Sequence, residues 1–264
     1  MIQTIKLLIG SSILIFIVLL SWNNFYSFGC ISIIFPFIIW GVISYSFIEK
    51  KMNERLCFKE CYFDNSSILS KLLLSPYLVT IVYGIISSLL TISIIYGVIN
   101  YPTILWWYLI VHILSVIVIY LILIKVFKSI IRDRYIEIFA REWTINISSL
   151  LLLSVYIYIL LTGYVPSYLS SSLLETIQNA SNSITSHCVY IDYILRLNIE
   201  LDSSFWWITS SSSQIIDTKL SKSIIWLGFI VLNSLSILGI NRFIVMIVYL
   251  VNKIITNKSK VEKD

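Results

Sequence analysis

Apolar residues dominate six long stretches of this chain, and polar residues gather between them. The stretches cover residues 5–22, 31–48, 72–99, 103–124, 145–165 and 224–251. A helix needs about 20 apolar residues to cross a hydrocarbon layer about 30 Å thick. Each stretch therefore predicts a transmembrane helix. Lys6 precedes the first stretch as it would in a signal peptide. Ser21-Trp22-Asn23-Asn24 stands where a small-residue cleavage site would fall, which favours an uncleaved span. Trp22, Trp106, Trp107, Trp206 and Trp207 fall where one interfacial belt is expected, and Trp143 where the other is. Trp40 lies mid-span and reads as packed between helices.

Composition sharpens the class. The chain has 264 residues, 58% hydrophobic and 12% charged, with mean hydropathy +0.90. A soluble domain is about 45–50% apolar and about 25% charged. Ordinary soluble, disordered and collagen-like chains are excluded. The net charge of +5 does not make a nucleic-acid-binding module, because the basic residues flank apolar runs and form no basic domain of their own. Ile occurs 53 times, while Ala140 and Ala180 are the only alanines. That skew points to an AT-rich, horizontally acquired bacterial gene, and so to an accessory system such as antiphage defence. Glycine is scarce at 8. Serine must then supply the small side chains that let membrane helices approach.

Cations set the predicted orientation. Residues 23–30 and 100–102 carry none. Segment 49–71 carries Lys50, Lys51, Arg55, Lys59 and Lys71, and segment 125–144 carries Lys125, Lys128, Arg132, Arg134 and Arg141. The C-terminal stretch adds Arg242, Lys253, Lys258, Lys260 and Lys263. With Lys6, 16 of the 19 cations fall on one side, leaving Arg196, Lys219 and Lys222 on the other. The predicted fold is an all-α integral membrane protein of six transmembrane helices with both termini cytoplasmic. It divides into a five-span region with cytoplasmic helical loops 49–71 and 125–144 (1–165), an extracytoplasmic cap (166–222), and a sixth span with a basic tail (223–264).

The non-spanning segments have patterns of their own. Val126, Phe127, Ile130, Ile131 and Ile138 recur at helical spacing, which predicts an amphipathic helix continuing from the fourth span. Its stripe needs a cover: the bilayer surface, a neighbouring loop, a cytosolic partner or another subunit. In the cap, serines precede Leu173, Leu174 and Ile177 and can cap a helix there. Residues 189–201 alternate apolar and polar almost without break, which suggests a strand, though a membrane-hugging helix also fits. At under 60 residues the cap is too small to bury a strong core alone.

Candidate chemistry is sparse. His112 lies within the fourth span, and the pair Asn241-Arg242 interrupts the sixth. Ionisable groups at membrane depth mark gates, pores or lipid contacts. His112 also reads as a neutral imidazole bonded to a neighbouring helix, and Arg242 as a snorkelling anchor on lipid phosphate. Lys125, Lys128, Arg132 and Arg134 are candidate partner-facing cations. Cys30 and Cys188 fall on the outer side and can pair if that compartment is oxidising. Cys57 and Cys61 are cytoplasmic, with no second ligand pair beside them to suggest zinc. No catalytic, P-loop or dinucleotide motif is present, and no cofactor is implied.

The functional expectation is a non-enzymatic inner-membrane subunit of a bacterium. It would self-associate, contact membrane lipids and a cytosolic or membrane protein partner, and bind no nucleic acid directly. It would act as sensor, scaffold or pore component of a multi-protein system. The alternative is a stand-alone ion channel or small-solute transporter. A membrane enzyme using His187 or Asp192 in the cap is a third reading.

Overall fold

The computed structural model describes residues 2–62, 76–101, 103–161, 165–215 and 219–261. Every regular element among them is helical. In chain order they are α1 (Ile2–Phe25), a 3-10 turn (Cys30–Ile33), α2 (Ile34–Tyr62), α3 (Pro76–Ile99), α4 (Thr103–Phe127), α5 (Asp133–Leu161), α6 (Leu173–Asn182), α7 (Val189–Ile215) and α8 (Lys219–Val261). Six of these helices, α1 to α5 and α8, are long and apolar enough to cross a membrane, as a multi-pass membrane protein requires. The α1–α2 turn, the α3–α4 turn and the α6–α7 cap share one end of the bundle, here called the cap face. The far ends of α2 and α8 and the α4–α5 turn form the basic face.

Three sequence expectations change. First, segment 49–71 is helical as expected as far as Tyr62, but it is a direct extension of α2 and not a separate loop; residues 63–71, and 72–75 of the third stretch, lie outside the described residues. Second, segment 125–144 is not a continuation of the fourth span. The chain breaks after Phe127, and residues from Asp133 open α5 instead. Asp133 stands in the first turn of α5, where a carboxylate suits the positive end of the helix dipole. The break also lets the next apolar stretch run back beside α4. Third, residues 189–201 are helix, not strand. Tertiary packing overrides the alternation, because Cys188, Ile191, Leu195, Ile199 and Trp206 recur at helical spacing and are all buried. The remaining odd positions then point away from the bundle: Tyr193 is 70% and Leu201 53% exposed.

Helix α8 organises the bundle. Its 43 residues span about 64 Å at 1.5 Å per residue, twice what a bilayer core needs. It packs on α1, α2, α3, α4, α5 and the cap helix α7. Every residue from 239 to 249 is buried, and a helix apolar on all sides belongs in a core. Close approach to α3 depends on Gly239: a Cβ there would stand 3.0 Å from Ile94 Cδ1 and 3.2 Å from the Leu90 carbonyl oxygen. Towards the cap face α8 leaves Ile224, Leu227 and Val231 exposed.

Buried serines do sit between helices, but most satisfy themselves locally. Ser11, Ser87, Ser148 and Ser203 each donate to the carbonyl four residues earlier, at 2.6–2.7 Å. A hydroxyl bonded in this way adds no orphan donor to an apolar interior. Interhelical hydrogen bonds come from elsewhere. Trp22 Nε1 donates to the Ile95 carbonyl (2.8 Å), Trp40 Nε1 to the Gly84 carbonyl (3.0 Å), and Ser236 Oγ to the Ser93 carbonyl (3.2 Å).

Candidate functional site

The richest polar cluster lies where α2, α5 and α8 meet towards the basic face. On α8, Arg242, Met246, Tyr249 and Lys253 recur at helical spacing and face the other two helices. Arg141 of α5 is fully buried. Its guanidinium pairs with Glu49 of α2 and with Glu142, donates to the Ser46 carbonyl at 3.2 Å, and lies 5.0 Å from the Tyr249 ring centre. Arg242 donates to Glu142 at 3.2 Å and to Ser46 Oγ at 3.0 Å, with Phe47 beneath it at 3.9 Å. Glu49 also accepts from Tyr249 Oη (2.9 Å) and faces Lys253 (3.7 Å), while Lys50 closes on Glu142 (3.1 Å). Buried charges persist only when paired and hydrogen-bonded, and every charge here has a partner of opposite sign.

Beside Arg242 on α8, a second polar group carries no charge. His112 Nε2 and Asn241 Oδ1 are 2.6 Å apart, and Asn241 Nδ2 donates to Ser149 Oγ at 3.1 Å. The three residues tie α4, α8 and α5 together. For this bond His112 must carry its proton on Nε2, since the Asn oxygen only accepts. Tyr108 stacks on the imidazole at 6.1 Å.

The structure thus buries His112, Asn241 and Arg242 in two polar groups that adjoin along α8: His112 bonds to Asn241, and Arg242 to Glu142 and Ser46. Arg242 meets carboxylate and hydroxyl groups of neighbouring helices, which differs from the lipid-anchor reading of this residue. Trp40, expected between helices, packs against α3 but keeps about a third of its surface exposed. Lys125, Lys128, Arg132 and Arg134 are exposed around the α4–α5 turn, away from the buried layer. Arg134 reaches Glu60 of α2 at 3.4 Å. Glu49, Arg141, Glu142, Ser46 and Tyr249 were not singled out from sequence. Glu49 and Glu142 fall at the edges of apolar stretches, and only the helical extensions of α2 and α5 draw them inside.

A second polar locus lies on the cap face. A disulfide joins Cys30 to Cys188, closing a separation of 158 residues. Beside it Ser186 Oγ donates to the Tyr26 carbonyl (2.7 Å) and the His187 N–H to the Ser27 carbonyl (3.3 Å). At the next turn Arg196 Nε donates to Asp192 Oδ2 at 2.6 Å, and that hydrogen bond holds the Asp192 carboxyl below its ordinary value. Further along α7, Asp202 Oδ2 accepts from Tyr168 Oη (2.8 Å) and from Tyr96 Oη of α3 (3.0 Å). Lost solvation pushes the Asp202 carboxyl up. Trp206 then packs edge-on against Phe229 of α8. Among the described residues, no group of three or more His, Cys, Asp or Glu is arranged to hold a metal ion. Comparison of the chain with protein-family models, with curated proteins and with solved structures finds no match.

Proposed function

We propose that this protein is a non-enzymatic membrane subunit that joins an extracytoplasmic cap to a basic cytoplasmic face, acting as sensor or scaffold within a multi-protein assembly. The observation that carries this reading is α8. One unbroken helix packs on the cap helix α7 at one end and contributes Arg242, Tyr249 and Lys253 to the charged layer at the other. A displacement of the cap would be felt at the basic face through a rigid rod. Two independent features favour the cap face as the outer one: the cations concentrate at the opposite end, and a disulfide fits an oxidising compartment. A bacterial inner membrane satisfies both. The exposed cations around the α4–α5 turn are the surface offered to a partner.

The test is mass determination of the protein extracted in a mild detergent, for the wild type and for Lys128→Glu/Arg132→Glu. A defined oligomer, or a stoichiometric partner lost in the double variant, supports the subunit reading. A monomer that retains nothing overturns it. The buried chain His112–Asn241–Ser149 favours a second reading, a channel or transporter. Purified protein in liposomes would then pass ions or solute, and His112→Ala would change the flux.

A further inference from the structure

Asp202 differs from the other acids in these buried or bonded sites. Glu49 and Glu142 face arginines and lysines, and Asp192 faces Arg196. The polar partners of Asp202 among the described residues are two phenols: Tyr96 from α3 and Tyr168 from the segment before α6. Those phenols are also the titratable groups that face it. No charged side chain of α3, α6, α7 or α8 pairs with it among the described residues. Both phenols donate to the same oxygen, Oδ2, and Oδ1 accepts no hydrogen bond among the described residues.

We propose that the Asp202–Tyr96–Tyr168 junction is a proton-binding site of the cap face, whose occupancy tightens the seat of α7 on α3. The arrangement suits a proton without rearrangement. A proton taken from solvent adds to Oδ1 and leaves Oδ2 as a carbonyl oxygen. That oxygen keeps two lone pairs for the same two phenol donors. Both hydrogen bonds survive, and an uncompensated charge at a half-buried position is removed. An ionised carboxylate with no cation beside it is the costly state in such a site.

The sign of the effect follows by linkage. Lost solvation, the larger influence on Asp202, raises its proton affinity in the folded cap, while the two phenols lower it. The folded cap therefore binds a proton that the unfolded segment releases. Stability rises as pH falls through the raised value towards the ordinary one. Asp192 acts in the opposite sense and at lower pH, since Arg196 holds its carboxyl down. Asp192 and Asp202 thus act in separate pH windows. The inference stands on the junction itself and not on the subunit reading.

The test uses the full chain in lipid nanodiscs. Amide exchange of the α7 peptides, corrected for intrinsic rates, is measured from about pH 8 down to the ordinary Asp value, about 3.9, so that a raised value falls inside the range. Infrared spectra taken in parallel follow the protonated-carboxyl stretch. Wild-type α7 gains protection as pH falls, with a carboxylic-acid band rising at the same midpoint. Asp202→Asn lacks the band and holds the acid-form protection throughout. Tyr96→Phe removes one donor to the ionised form and so moves the midpoint to higher pH. It keeps the question open to measurement even where Asp202→Asn does not fold. Protection that is flat in the wild type, a band unchanged in Asp202→Asn, or a midpoint unmoved in Tyr96→Phe would each overturn the proposal.

Discussion

Glu142 of α5 accepts from Arg242 of α8 at 3.2 Å, across 100 residues of sequence. The same carboxylate serves Arg141 and Lys50. It is the joint through which three helices hold three cations at the edge of an apolar bundle. Removing one partner of a buried pair leaves the others unpaired, which costs about 3–5 kcal/mol. Glu142→Ala is therefore strongly destabilising in denaturant titrations in detergent. Glu142→Ala/Arg242→Ala costs less than the sum of its single variants by at least about 1 kcal/mol, as contacting residues do. Additive losses would separate the two residues energetically.

The adjoining polar group obeys a different rule, because it is neutral. Asn241→Leu leaves His112 and Ser149 without their shared partner and costs about 1–3 kcal/mol. Replacing both ends of a buried hydrogen bond by apolar groups is far milder than replacing one. His112→Phe/Asn241→Leu accordingly recovers much of the loss. Melting temperatures of the three variants decide this, and a double variant as unstable as Asn241→Leu alone would argue against it.

Two glycines of α8 separate packing from propensity. A Cβ at Gly239 runs into Ile94 and the Leu90 backbone, whereas one at Gly228 meets nothing within 4 Å. Gly239→Ala should push α8 from α3 at a cost of about 1–3 kcal/mol, the usual range for overpacking. Gly228→Ala should be neutral or gain up to about 1 kcal/mol from helix propensity. Equal stabilities for the two variants would show that the close approach is dispensable.

At the amino-terminal end of α7 the pH dependence runs the other way from that at Asp202. The Arg196 hydrogen bond depresses the Asp192 carboxyl. Its contribution is complete above the ordinary Asp value, about 3.9, and is lost as pH falls through the lower folded value. Exchange protection of residues 186–196 should drop in that acid range for the wild type and not for Asp192→Asn. Because Arg196 is exposed, about 1 M salt should shrink the difference.

Much of the architecture was legible because the membrane imposes a crude code. Apolar length alone located the six spans, and cation placement divided the ends. Serines before Leu173 marked the start of α6, where Ser172 does accept from the Glu175 N–H. Pattern reading left 189–201 open between strand and helix, because apolar residues at every second position also place every fourth one on a single helix face. It failed at 125–144, where a turn at 128–132 reassigns half the segment to the next helix. Among the site residues, His112, Asn241 and Arg242 stood out by breaking apolar runs. Glu49, Arg141 and Glu142 did not, since a charge at the end of a run looks solvated until a neighbouring helix covers it. Asp202 and its two tyrosines carried no sequence signal at all.

The sequence by itself determined what kind of object this chain is. Hydrophobic length and charge asymmetry are local quantities, summed along the chain, and they mark the helices long and apolar enough to cross a membrane without reference to packing. Tertiary structure alone decided which charges are paired, which are exposed, and which helix occupies the core. Those outcomes depend on contacts between residues some 90 to 200 positions apart, such as Arg141 with Glu49 and Tyr249 with Glu49. Burial, and with it the energetic meaning of a charge, belongs to the assembled bundle and not to any one segment of it.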